Sequence, residues 1–337
     1  MAGRRAEVPG SARNDVSRLL LAFVAVAGVP LATAGYAWLV ELVVSWLPAR
    51  TGRAVRPWLW MLPASAFLVF FLVYPTIETI VLSLYDATSS RFVGLANYAF
   101  VFTDPGMLGA LRNNLIWLVF FTLVTVILGL VVAVLTDRVP YEAVAKGIVF
   151  LPMAVSFVAA GVIWKFMYDY RPPGAAQTGT LNAGVTAVGF EPQAWLINSP
   201  WNTFALIAVA VWTWTGFCAV ILSAALKGIP PELLEAARVD GASEWQIFRS
   251  VVVPLISGTI AVVTTTMIIF ALKAFDIVYV MTNGNYNTEV IANAMYKELF
   301  NYRDFGRSAA IAVVLLVAIV PVMLLNVGRF RAQEEAR

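Results

Sequence analysis

The sequence contains no histidine, a single cysteine, and charged residues at only 13% of its positions. Without histidine, the commonest metal ligand and the commonest general base at neutral pH are missing. A lone cysteine, Cys218, excludes an internal disulfide, and its apolar neighbours mark it as a buried thiol with no redox role. No G-x-x-x-x-G-K-[ST] phosphate loop occurs, so the usual way of binding ATP is absent as well. A soluble domain carries about 25% charged and about 45–50% apolar residues, whereas here the apolar share is 60%.

What is present instead is hydrophobic length. Seven apolar blocks can be read, at 19–47, 58–84, 115–135, 147–167, 203–226, 253–280 and 308–327. Each is about the 20 residues or more that a helix needs to cross a hydrocarbon layer about 30 Å thick. Inside lipid the backbone can satisfy its own hydrogen bonds only as helices or closed barrels, and blocks of this length are helical. The expectation is an all-α, polytopic transmembrane bundle. The first block is too long, and lacks a clear small-residue cleavage site, for a cleaved signal peptide.

Orientation follows from the placement of Lys and Arg rather than from the net charge of +3. One side would hold Arg50, Arg53, Arg56, Arg138, Lys146, Lys227, Arg238, Arg249, Arg329, Arg331 and Arg337, and the other Arg91, Arg112, Arg171, Lys297, Arg303 and Arg307, eleven against six. The richer side is the cytoplasm. The first block conflicts with this. A single crossing puts Arg4, Arg5, Arg13 and Arg18 outside, giving eleven against ten, while a hairpin keeps them inside, giving fifteen against six. Gly28-Val29-Pro30 has the chemistry to form its turn. The expectation is a cytoplasmic N-terminus with a tight or partly inserted hairpin, an extra transmembrane helix being the alternative.

Between the fifth and sixth blocks lies a polar segment with strong local signals. Pro231 suits the first turn of a helix, and Glu232 and Glu235 suit its positive end. Gly241 suits a left-handed stop, and Ser243 with Gln246 makes a capping box for a second helix. On local chemistry alone this is a well-capped surface linker. The larger pattern says more: Glu235-Ala236-Ala237, then Gly241, Val251, Val253 and Pro254, resembles the EAA loop of binding-protein-dependent ABC importers, with valines in place of Ile and Leu.

The resemblance extends over 58–331. Tyr74-Pro75 within 70–86 is similar to the first core helix of sugar-importer permeases, and Asn97-Tyr98 through Asp104 to the start of the outside loop in the larger maltose-type membrane subunit. Leu151-Pro152, Phe275-Asp276 through Thr282-Asn283-Gly284, and Phe305-Gly306 fit the same family. It implies a six-helix permease core at 58–337, with a coupling loop at 228–254, preceded by an N-terminal hydrophobic extension at 1–57.

It also implies partners and sites. Leu233, Leu234, Glu235, Ala236, Ala237, Asp240 and Gly241 would dock on an ATP-binding subunit, which would hold the ATP and Mg; this chain itself would bind no cofactor. A second homologous permease, two ATP-binding subunits and an extracytoplasmic solute-binding protein would complete the assembly in a plasma or bacterial inner membrane. No nucleic acid is implied. A sugar would pass Met153, Ser156 and Phe157 on the fourth block, Trp212, Thr215, Gly216 and Ala219 on the fifth, and Phe270, Ala271, Lys273 and Ala274 on the sixth. The favoured substrate is an oligosaccharide such as an α-glucoside, a sugar phosphate or polyol being the alternative.

Other readings of these residues stay open. Trp212, Trp214 and Phe270 can equally be packing or interface aromatics. Lys273 and Asp276, three apart on one helical face, can line an aqueous path or close the helix end as an ion pair. Lys165 sits near a block end and can snorkel. An ion-coupled secondary transporter would need intramembrane carboxylates beside broken helices, and only Asp276 qualifies. An intramembrane enzyme would need a metal or nucleophile constellation that this sequence does not supply.

Overall fold

The computed structural model describes residues 11–137 and 139–335, so Arg4, Arg5, Arg138 and Arg337 of the charge count lie outside the described residues. Those described are mostly helical, with one isolated bridge between Tyr85 and Phe92 and no strand. Among the described residues six helices are long and apolar enough to cross a membrane, and one bent pair of helices is apolar enough only when taken together. The described residues divide into two compact units on either side of the Ile77–Glu78 bond.

In the first unit, α1 (Ser11–Ser45) runs unbroken through Pro30. The hairpin expected at Gly28-Val29-Pro30 is therefore absent. A proline inside a helix costs it one hydrogen bond, but a turn in an apolar run would orphan several backbone groups at once, so the helix persists. The chain reverses instead at 46–48, before α2 (Ala49–Leu82). Arg56 on α2 pairs with Glu41 on α1 at 2.6 Å, and the Tyr36 ring meets Trp60 edge-on at 6.3 Å. Phe67, Phe70, Phe71 and Leu72 on α2 are all exposed, a surface for lipid or another chain.

The second unit contains α3 (Ala96–Thr103), α4 (Pro105–Thr136), α5 (Glu142–Phe150), α6 (Phe157–Met167), α7 (Thr180–Ala187) and α8 (Trp201–Lys227). There follow α9 (Pro231–Val239), α10 (Glu244–Ile247), α11 (Ser257–Leu272), α12 (Asp276–Met281), α13 (Ile291–Tyr296) and α14 (Phe305–Glu335). Asp104 caps α4 by accepting from the Met107 N–H at 3.0 Å, with Pro105 in the first turn. The centre of the unit is α8, whose Leu206, Val209, Cys218 and Leu222 are buried, and it packs most extensively on α4.

Two expected spans are broken rather than straight. The fourth block is a pair of helices bent by 99°. Pro152 lacks an N–H and sits in a single 3-10 turn, Val155 is extended, and the Ser156 hydroxyl starts α6 by accepting from the Ala159 N–H at 3.2 Å. The sixth block is interrupted at 273–275, between α11 and α12. Lys273 and Asp276 thus do not share a continuous helical face.

A helix that stops at membrane depth leaves carbonyls without partners. Asn114, buried on α4, supplies them. Its Nδ2 donates to the carbonyls of Leu272 at 3.3 Å and Ala271 at 3.4 Å, and its Oδ1 accepts from the Ile291 N–H at 2.7 Å. Neighbouring Asn113 donates to the carbonyls of Asn287 and Glu289 at 2.7 and 2.8 Å, and Asn202 donates to that of Tyr286 at 2.7 Å. Three buried amides on α4 and α8 therefore fix the turn after α12.

Candidate functional site: an aromatic cavity and an exposed loop

A cavity of 170 Å³ opens beside the interrupted helix. Its walls come from four places: Trp117 and Phe121 of α4, Phe157 at the start of α6, Ala210 and Trp214 of α8, and Phe270 with residues 273–277 around the break. Trp214 stacks on Phe157 at 5.8 Å between ring centres and lies 3.9 Å from Phe270. The bend at Val155 is what brings Phe157 here, because its first-turn position is set by the Ser156 cap. Lys273 and Asp276 supply the polar lining. Among the described residues no ion pair joins them and neither side chain makes a hydrogen bond. The Trp117 Nε1 is buried and likewise has no acceptor.

Of the path residues expected from the sequence, Phe157, Phe270, Lys273 and Ala274 meet in this cavity. Met153 is half-buried against the core, and Ser156 acts as the cap. Trp212 and Thr215 line a different groove, with Phe120, Val124, Leu128 and Ile148. The reason is helical rotation: residues two apart point about 200° away from each other, so Trp214 and Trp212 cannot face one cavity. The Thr215 hydroxyl is already spent, donating to the Val211 carbonyl at 2.7 Å. Gly216 is where α8 meets α5; a Cβ there would lie 2.3 Å from the Val149 carbonyl oxygen. Ala219 and Ala271 are buried.

Trp117 and Phe121 also line the cavity and were not singled out in the sequence, whereas Trp214 and Asp276, which the sequence left open between a path and a packing or ion-pair role, stand in its wall. For Trp214 the usable signal was its spacing four residues from Ala210, which selects one face of α8. For Trp117 no local signal exists, since a tryptophan within an apolar block reads as packing.

On the polar loop, α9 starts at Pro231 and ends at Val239, just before the stop expected at Gly241. It ends in a Schellman motif: the Ala242 N–H donates to the Ala237 carbonyl and the Gly241 N–H to that of Arg238, each at 3.0 Å, with Gly241 at φ +82°. Ser243 and Gln246 form the reciprocal capping box that opens α10. Arg238 pairs with Glu244 at 2.8 Å across the turn, and that hydrogen bond raises the Arg238 pKa above its ordinary value.

Leu234 points back into a small cavity floored by Val134, Leu226, Ile247 and Phe248. Leu233, Glu235, Ala236 and Asp240 are exposed, Ala237 is half-buried, and Val239 is 88% exposed. Lys227, just before the loop, reaches Glu142 at the foot of α5 at 2.6 Å, and Glu142 also holds Lys146. Among the described residues no cluster of acidic, cysteine or histidine side chains has the geometry of a metal site.

Comparison with known proteins agrees with this architecture. The osmoprotective compounds uptake permease protein GgtC of Synechocystis sp. is 59% identical over 83% of this chain and 100% of its own length. The alpha-glucoside transport system permease protein AglF of Rhizobium meliloti is 46% identical over 90% of this chain and 94% of its own. A crystallised bacterial ABC transporter involved in import of the acidic polysaccharide alginate shares the fold, with a TM-score of 0.72 at 24% identity over 84% of this chain and 99% of that one. Residues 125–328 match the model of the binding-protein-dependent transport system inner membrane component. The chain belongs to that family, the membrane-embedded permease subunits of ABC importers.

Proposed function

We propose that the chain passes a sugar, an oligosaccharide of the α-glucoside type, across the membrane from an extracytoplasmic solute-binding protein, driven by ATP hydrolysed on separate subunits. The observation that carries this is the exposed, rigidly terminated α9. A helix with Leu233 and Val239 exposed to solvent, small Ala236 between them and Glu232 and Glu235 alongside is a surface for another protein. The ATP-binding subunit receives it, and ATP and Mg stay there. Gly241, held left-handed, makes the loop a stiff foot rather than a tether. Force entering at this foot reaches the spans through Lys227 and Glu142. Two such subunits, one for this chain and one for a second homologous permease, give the assembly its two states.

The sugar reading is supported by the relative named for alpha-glucosides and by a cavity walled with aromatic rings, which stack on the apolar face of a pyranose. Phe157, Phe270, Lys273 and Ala274 form the passage in this reading. Residues 58–337 act as the permease domain, and 1–57 as an extension. With α1 crossing once, the charge count returns to eleven against ten, so the orientation rests on the segments after Pro48. The test is affinity purification of the tagged chain from membranes with its bound partners identified by mass spectrometry, followed by ATPase measurement with a panel of liganded binding proteins. A chain recovered alone, accumulating solute with no nucleotide hydrolase present, would overturn the proposal.

A further inference from the structure

Two further cavities lie on the face of α8 turned away from Trp214. The first, of 480 Å³, has Tyr168, Gln193, Asn198 and Trp201 in its wall, and the second, of 640 Å³, has Phe120, Val124 and Leu128 of α4, Val211 of α8 and Pro152. Phe204 and Ala208 line both, so the two form one groove. The bend in the fourth span is what opens it. Up to Phe150, α5 lies along α8: the Lys146 ammonium donates to the Ser223 hydroxyl, and at Gly216 a Cβ would lie 2.3 Å from the Val149 carbonyl oxygen. There the chain turns by 99°, and α6 packs on α12 instead. This face of α8 is thus covered by a helix below Gly216 and left open above it.

We propose that this groove seats one acyl chain of an outer-leaflet phospholipid. Nothing in this depends on which solute the permease carries. Length, polarity and the closed inner end select the occupant. The groove follows α8 from Trp201 to Thr215, about 21 Å at 1.5 Å per residue, which is about half of the roughly 40–45 Å of a bilayer with its headgroups. With Lys227 at the cytoplasmic end, Trp201, which is 70% exposed, stands at the outer interface where tryptophan anchors. Beside it the Asn198 side-chain amide makes no hydrogen bond among the described residues and is free to donate to an ester carbonyl. Deeper in, Phe120, Val124, Leu128 and Ile148 are apolar and exposed. The contact of α5 with α8 at Gly216 then shuts the groove near the midplane. A spanning helix of another chain needs an open track across the whole membrane, whereas a lipid tail ends where this groove ends. Among the described residues neither lining includes a charged side chain, so the tail is recognised and the headgroup charge is not. Left empty, these walls would forfeit their dispersion contacts.

The experiment is photolabelling of the purified permease–ATPase complex in nanodiscs of phosphatidylethanolamine and phosphatidylglycerol. The probe is phosphatidylethanolamine with a diazirine either at the end of one acyl chain or beside its ester, and labelled residues are mapped by peptide mass spectrometry. The chain-end probe should label Val124 and Val211, and the ester-side probe Asn198 and Trp201. Each should exceed the labelling of Leu123 and Val317, exposed apolar residues outside the groove, by about fivefold, the ratio that roughly 1 kcal/mol of preference gives. The same probes built on phosphatidylglycerol should label equally. Ala208→Trp, at the junction of the two cavities and itself exposed, should bring chain-end labelling of Val211 down to the level of Val317, while Ala208→Ser should leave it high. Where Ala208→Trp fails to assemble, the depth pattern in the wild type decides: a chain-end probe that labels Trp201 and spares Val211 would overturn the site. Groove labelling no stronger than that of Val317, or unmoved by Ala208→Trp, would overturn it as ordinary lipid contact. Absence of groove labelling with either probe would overturn it in favour of a covering protein chain.

Discussion

Gly241 sits at φ +82° with nothing within 4 Å of the position its Cβ would take. Space is therefore not what demands glycine there; backbone conformation is. An L-residue in the left-handed region pays about 1–2 kcal/mol, Asn is among the few side chains that visit it routinely, and a β-branched residue fits it worst. A cost of that size shifts a local equilibrium by about 5–30-fold. What opposes it is modest: the two Schellman bonds, the Ser243 capping box at about 1 kcal/mol, and the ion pair of Arg238 with Glu244, which is exposed and contributes little. Gly241→Val should therefore release the turn and uncouple α9 from α10, while Gly241→Asn should keep both. Uptake of labelled sugar by cells should follow the order Gly, Asn, Ala, Val. Membrane insertion and thermal stability in detergent should hold constant across the series, because the spans do not depend on this turn. Equal loss of uptake in Asn and Val would refute the reasoning, since it would mean that the side chain collides with a partner surface and that φ is irrelevant.

Three other substitutions test the packing. Gly216→Ala puts a methyl 2.3 Å from the Val149 carbonyl oxygen and 2.6 Å from the Phe150 Cα, so it should cost about 1–3 kcal/mol of overpacking, read as a lowered melting temperature of the purified complex. Asn114→Leu strips the Ile291 N–H and the Ala271 and Leu272 carbonyls of their partner; at about 1–3 kcal/mol per orphaned group it should destabilise more than Gly216→Ala does, in the same assay. Glu298 is buried, and that burial foremost, with Asp304 and Asp104 adding to it and Arg307 opposing, raises its pKa above the usual 4.5. The folded state then holds the proton longer than the unfolded one, so stability falls as pH rises from the ordinary carboxylate range through the raised value. Glu298→Gln should remove that fall, and melting temperatures measured from pH 4 to pH 8 should show a flatter profile; a steeper one would contradict the sign.

The spans and the polar loop were readable in the sequence because each is a local property. Hydrophobic length forces a helix in lipid whatever surrounds it, and Pro231, Gly241, Ser243 and Gln246 each act on their immediate neighbours. The breaks were not readable for the opposite reason. A hydropathy window averages across Val155 or Ala274, since an interrupted apolar run is as apolar as a straight one. What stabilises the gap at 273–275 is Asn114, more than 150 positions away in the chain. One signal was nonetheless there. Two consecutive asparagines, Asn113 and Asn114, stand at the edge of the third apolar block, and amides at such a depth have work only where backbone elsewhere has lost its partners. The unbroken α1 shows the converse: Gly28 and Pro30 carry turn chemistry, yet the helix continues through both.

These breaks decide how the cavity can respond to the loop. Phe157 begins α6 and Phe270 stands in the last turn of α11, so both walls are carried by helix ends, where a continuous span would have fixed them by its own register. A straight span moves its wall residues only by moving as a whole, through lipid and against every neighbour. A helix end held by a serine cap and an asparagine side chain can shift by exchanging a few hydrogen bonds. The fixed element between them is α8, buried along most of its length, which presents Trp214 to both phenylalanines and runs down to Lys227 and the polar loop. At its foot Lys227 grips Glu142, the first residue of α5, and α5 leads through the 99° bend to Phe157. In the proposed coupling, a displacement of the loop would act on one wall through α8 and on the opposite wall through α5, and the angle between those two routes would convert it into a change of cavity shape.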